Sequence, residues 1–100
     1  MQSKYTIKEL QEVVGPLAEQ YGVESVSLFG SYSKGTAKPD SDVDFLIEKG
    51  SLKGLFALSS FRLALEDALQ TPVDLVSKDI SDKAFLNMIS KEEVLLYRKA

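Results

Sequence analysis

The chain has 100 residues, 44% of them hydrophobic and 27% charged, and a formal net charge of -3. It contains neither cysteine nor histidine, which excludes disulfides, thiolate or imidazole metal sites, a cysteine nucleophile and every histidine-based acid–base mechanism. With 12 basic against 15 acidic residues the overall field does not draw in nucleic acid, and no segment approaches the ~20 apolar residues of a membrane span, so direct nucleic-acid binding and membrane insertion are not expected.

The chain opens Met1-Gln2-Ser3-Lys4-Tyr5, without the apolar run of a signal peptide, so a cytoplasmic protein is the expectation. Thr6 and Glu9 stand at capping-box spacing, and Leu10, Val13, Val14, Leu17 and Tyr21 recur at helical intervals. Gly15-Pro16 is expected to interrupt that helix, by starting a fresh segment or kinking a single one, and Gly22 to stop it. Residues 23–29 read as a β-branched strand ended by Gly30. Ser31 to Lys34 could form one helical turn before Gly35, and Pro39-Asp40 supplies turn chemistry in the loop that follows.

Residues 43–47 form the second predicted strand, broken by Lys49-Gly50-Ser51. Leu55, Leu58, Phe61, Leu65 and Leu69 mark an amphipathic helix that Thr71-Pro72 closes, because a residue before proline avoids the helical region. Residues 73–76 are a third short strand with one acid, Asp74, in an otherwise apolar run. Residues 81–89 read as a helix burying Ala84, Phe85, Met88 and Ile89, and residues 94–97 as a last strand. No repeat or linker interrupts the series, so one domain spanning residues 1–100 is expected. The order of elements implies α/β (α+β) layering, with helices covering one side of a small sheet.

Chemistry concentrates where the second strand begins. Asp is depleted in strands, yet Asp42 and Asp44 stand at its opening. Side chains alternate faces, so the two acids would project side by side while Val43, Phe45 and Ile47 turn to the core. Like charges at that separation repel unless a cation lies between them, and paired carboxylates suit Mg²⁺. If the second and third strands are neighbours, Asp74 joins the same rim.

Two familiar loops fail on inspection. Asp40, Asp42 and Asp44 have the opening spacing of an EF-hand, but Phe45 and Ser51 occupy the positions that need glycine and glutamate. Gly30 and Gly35 have the spacing of a P-loop, but Thr36-Ala37 follows instead of Lys-Ser/Thr. What remains is a strand, a Gly-Ser corner, a loop, and Asp-x-Asp leading into a strand. Gly30 would let the backbone approach a phosphate, Ser31 would offer its amide and hydroxyl at a helix start, and Lys34 would add positive charge. Asp42 and Asp44 would hold Mg²⁺ against the phosphates, and Asp74 would take the proton from an attacking hydroxyl. A lone Asp-x-Asp beside a turn is ordinarily a solvated loop; its conjunction with Gly-Ser, two apolar strands and a later in-strand Asp points to a site.

Gly30-Ser31-Tyr32-Ser33-Lys34-Gly35 with Ser41-Asp42-Val43-Asp44 resembles the GSxARG…SDxD signature of the DNA polymerase beta-like nucleotidyltransferases, and most closely the minimal nucleotidyltransferases of prokaryotic toxin–antitoxin systems. Ser33 and Lys34 depart from the usual Ala and Arg, and Lys loses the bidentate fork of Arg. The resemblance implies the nucleotidyltransferase fold and Mg²⁺-dependent transfer of AMP from ATP to a hydroxyl, typically a tyrosine of a HEPN-domain toxin. Carried over, Asp42, Asp44 and Asp74 are metal ligands, two ions being usual, Asp74 is also the base, and Gly30, Ser31 and Lys34 meet the nucleotide. A non-catalytic antitoxin acting by occlusion, or a nucleotidyltransferase subunit for RNA or a small molecule, are the alternatives; intact Asp42, Asp44 and Asp74 favour the enzyme.

Overall fold

The computed structural model describes residues 5–30, 42–52, 54–78, 82–90 and 93–99. The turn expected at Ser31 to Lys34 and the loop after it lie outside these residues. The chain order is α1 (Ile7–Tyr21), β1 (Ser25–Phe29), β2 (Val43–Glu48), α2 (Gly54–Leu69), β3 (Val73–Ser77), α3 (Lys83–Ser90) and β4 (Val94–Arg98). The strands form one mixed sheet in the order β3-β2-β1-β4. β1 runs antiparallel to both β2 and β4, and β2 and β3 are parallel. A parallel pair needs a crossover, and α2 supplies it.

Local chemistry sets the ends of α1. The Thr6 hydroxyl accepts from the Glu9 amide at 3.1 Å, and the Glu9 carboxylate accepts from the Thr6 amide at 2.8 Å, which satisfies two of the free helix-start amides reciprocally. Gly22 closes the helix in the left-handed conformation, with φ 74°. The expected interruption at Gly15-Pro16 does not occur, and α1 continues through Pro16 to Tyr21. Leu10, Val14 and Ala18 form one fully buried stripe on both sides of the proline. That burial outweighs the single hydrogen bond Pro16 cannot donate, since each buried aliphatic side chain contributes roughly 1.5–3 kcal/mol.

Alternation divides the sheet into two faces. Val26 and Leu28 of β1, Val43, Phe45 and Ile47 of β2, and Val73 of β3 pack against Leu10, Val14 and Ala18 of α1 and Phe61, Leu65 and Leu69 of α2. The opposite face carries Ser27 and Phe29, Asp44, Leu46 and Glu48, and Asp74 and Val76 in matching rows. Since α1 and α2 already fill the core face, α3 packs toward the other one. Its Phe85 meets Phe29 edge-on, with ring centroids 6.1 Å apart. The expected buried side of α3 is therefore largely open: Ala84 is exposed, Met88 is 66% exposed, and Phe85 alone is half-buried, while the side chain of Ile89 lies outside the description. Leu55, expected on the buried stripe of α2, is 80% exposed: the fully buried residues of that helix are Phe61, Leu65 and Leu69, and before them Ala57 and Leu58 pack against the core only in part.

Candidate active site

Two parallel strands place two acids side by side. The register pairs Val43 with Val73 and Asp44 with Asp74, so both carboxylates rise from the face that α1 and α2 leave uncovered. On the other flank of β2, Phe29 pairs with Asp44, and Gly30 follows at once with φ 76°. A methyl group at Gly30 would overlap the Asp44 carboxylate. Asp44 is thus flanked by Asp74 on one side and bare backbone on the other. Only glycine satisfies both the positive φ and the close approach.

The electrostatics differ sharply between the two ends of β2. At the far end, Glu48 accepts hydrogen bonds from Ser25 at 2.8 Å and Arg98 at 3.4 Å, with Lys78 at 3.8 Å. Its carboxyl is held below the usual range, chiefly by the Ser25 hydroxyl and then by the two cations. At the near end the Asp44 pKa is pushed up to about 6, first by burial, then by the charge and hydrogen bond of Asp74, and last by the charge of Asp42. Among the described residues no cation pairs with Asp44 or Asp74. The pair is built for a positive charge that the described side chains do not supply.

The grouping is two plus one rather than three. Asp42 is exposed and precedes the first strand residue, so it reaches Asp44 as charge and not as a bonded neighbour. Among the described residues no three acidic side chains are gathered tightly enough to hold an ion by themselves. This still suits Mg²⁺, which commonly takes one or two carboxylates and completes its shell with nucleotide phosphates and water. Asp44 and Asp74 could hold such an ion, with Asp42 beside them. Ser31 and Lys34 lie outside the described residues.

The raised pKa has a consequence for stability. Between the ordinary value of 3.8 and about 6 the folded chain binds a proton at Asp44 that the unfolded chain has released. Metal-free stability should therefore fall as pH rises through that window, with the deficit complete above it. A fully enclosed group would be worth about 3 kcal/mol, and solvent around this half-buried one reduces the figure to about 1 kcal/mol. Asp44→Asn should accordingly stabilise the metal-free protein by that amount at pH 7.5 and flatten its profile between pH 4 and pH 6. Urea unfolding in EDTA checks this; an unchanged profile would show that neither burial nor Asp74 raises the Asp44 pKa.

Residues 8–97 match the nucleotidyltransferase domain family. The chain belongs to that family. Protein adenylyltransferase MntA of Thermococcus cleftensis is 32% identical over 93 residues, which cover 89% of this chain and 94% of that one. The fold superposes on a toxin–antitoxin complex crystallised with AMP-PNP, with a TM-score of 0.77 and 23% identity over 89% of this chain and 73% of that one. It also superposes on the complex of tri-AMPylated HEPN toxin with MNT antitoxin from Shewanella oneidensis, with a TM-score of 0.72 and 19% identity over 94% of this chain and 74% of that one. No described helix is long and apolar enough to cross a membrane.

Proposed function

We propose that the chain is a cytoplasmic, Mg²⁺-dependent protein adenylyltransferase that transfers AMP from ATP to a tyrosine hydroxyl of a partner HEPN-domain toxin, and so acts as an antitoxin. The observation that carries this reading is the in-register Asp44–Asp74 pair beside the Gly30 corner, with no described cation to neutralise it. Asp42, Asp44 and Asp74 hold the metal in this reading. When bound, Mg²⁺ supplies charge that offsets the triphosphate and the pyrophosphate leaving group.

The protein's own residues do the rest. Gly30 brings backbone to the nucleotide without a side chain in the way, and Ser31 and Lys34 meet its phosphates. Asp74 accepts the hydroxyl proton as the tyrosine oxygen bonds to the α-phosphorus and the bond to the β-phosphate oxygen breaks. Positioning and electrostatics account for most of the acceleration in such transfers. The face bearing the acids is only partly covered by α3. The partner therefore supplies the acceptor and the missing wall.

Incubating the chain with a HEPN-domain partner, ATP and Mg²⁺ should add one or more AMP groups to the partner, read by intact mass spectrometry. EDTA should stop the addition. A stable complex that never gains AMP would favour neutralisation by occlusion and overturn the proposal.

A further inference from the structure

Among the described residues β3 is an edge strand with β2 as its single neighbour. Its pairing with β2 begins at the peptide unit between Pro72 and Val73. The Pro72 carbonyl accepts from the Val43 amide at 3.0 Å. The amide of that same unit, on Val73, points outward from the sheet and donates to the Glu66 carboxylate on α2 at 2.9 Å. The other Glu66 oxygen is taken by Arg62, one turn earlier, at 3.1 Å. One peptide plane is thus gripped at both ends, and the residues it joins across the sheet, Val43 and Val73, immediately precede Asp44 and Asp74.

We infer that Glu66 is a positioning residue for the acid pair. It acts as a substitute neighbour for the first residue of the edge strand, and Arg62 orients it. An outward amide on an edge strand can otherwise turn to water, since the ladder with β2 engages only the groups of β3 that face inward. The carboxylate also polarises the chain running from the Val43 amide through the Pro72–Val73 unit, since linked hydrogen bonds strengthen one another. The Arg62–Glu66 pair is partly exposed and adds little stability as an ion pair. Its effect is geometric, and it falls on the separation of two carboxylates that must share an ion.

The activity arm of the test rests on the adenylyltransferase reading, and two other arms do not. Glu66→Ala should abolish protection of the Val73 amide in hydrogen exchange and weaken Mn²⁺ binding to the nucleotide-free chain by about tenfold, because a misplaced ligand of even 1 Å is costly. In AMP transfer it should lower kcat by roughly tenfold or more while the KM for ATP moves less than about threefold. Glu66→Gln keeps an acceptor oxygen, so it should restore Val73 protection and return Mn²⁺ affinity and kcat to within about threefold of the parent. Loss of Val73 protection in Glu66→Ala with parental Mn²⁺ affinity would overturn the inference. So would a Glu66→Gln variant that restores protection but not Mn²⁺ affinity. If the parent itself transfers no AMP, the functional reading falls, and Mn²⁺ binding and Val73 exchange still decide the role of Glu66.

Discussion

Asp44→Ala should reduce AMP transfer by about 10³-fold or more, the scale of losing a principal electrostatic element of a transferase site. Asp74→Asn should cost about 10²–10⁴-fold, as expected for removal of a general base. The double variant should be little worse than either single one, because residues that act as a unit are grossly non-additive. The contrast with stability makes this a sharp test. Removing the Asp44 charge relieves the burial penalty and the repulsion that together raise its pKa to about 6, so substitution there should stabilise the metal-free fold while it eliminates transfer. Natural sites commonly trade stability for activity in this way. Asp42 separates chemistry from folding further, since it is exposed and outside the core. Asp42→Ala should abolish transfer without lowering the melting temperature. If cells carrying Asp42→Ala resist the toxin as well as the parent does while transfer is lost, neutralisation is by binding.

Much of this arrangement is legible in the sequence because it depends on local chemistry. The Thr6–Glu9 capping box, the Gly22 stop, the Pro72 break and the alternation of Val43, Phe45 and Ile47 are each written in a few adjacent residues. The failures share a different cause. Pro16 is tolerated because a buried stripe extends past it on α1, Leu55 is exposed because the fully buried residues of α2 begin only at Phe61, and Met88 is exposed because α1 and α2 already fill the core face. These outcomes depend on which surfaces are already taken, which no local pattern encodes. The neighbourhood of Asp44 and Asp74 was inferable only on condition that β2 and β3 adjoin. The parallel register then sets the two acids opposite each other and leaves Asp42 at the margin. Glu66 had no signal at all. It is an ordinary acid on a helix until the fold brings it to the Val73 amide seven residues later.

Gly30→Ala should reduce turnover per folded molecule by about 10²-fold, through displacement of the Asp44 carboxylate. Two costs arise together. The positive φ of 76° is unfavourable for any residue with a Cβ, by roughly 1–2 kcal/mol. The added methyl also meets the Asp44 carboxylate, which cannot retreat toward Asp74 without raising the repulsion already present there. The side chain must rotate or β1 must shift, and either movement opens the pair. Gly50 provides the control. It has a φ of 59°, and a Cβ there would meet the backbone of Glu24 and Gly22 at 2.8 Å. It lies beyond the other end of β2, about 20 Å of strand from Asp44. Gly50→Ala should therefore lower the melting temperature at least as much as Gly30→Ala and leave turnover per folded molecule near the parental value. Equal turnover in the two variants, after correction for the folded fraction, would mean that Gly30 serves only the turn and that close approach to Asp44 has no part in the chemistry.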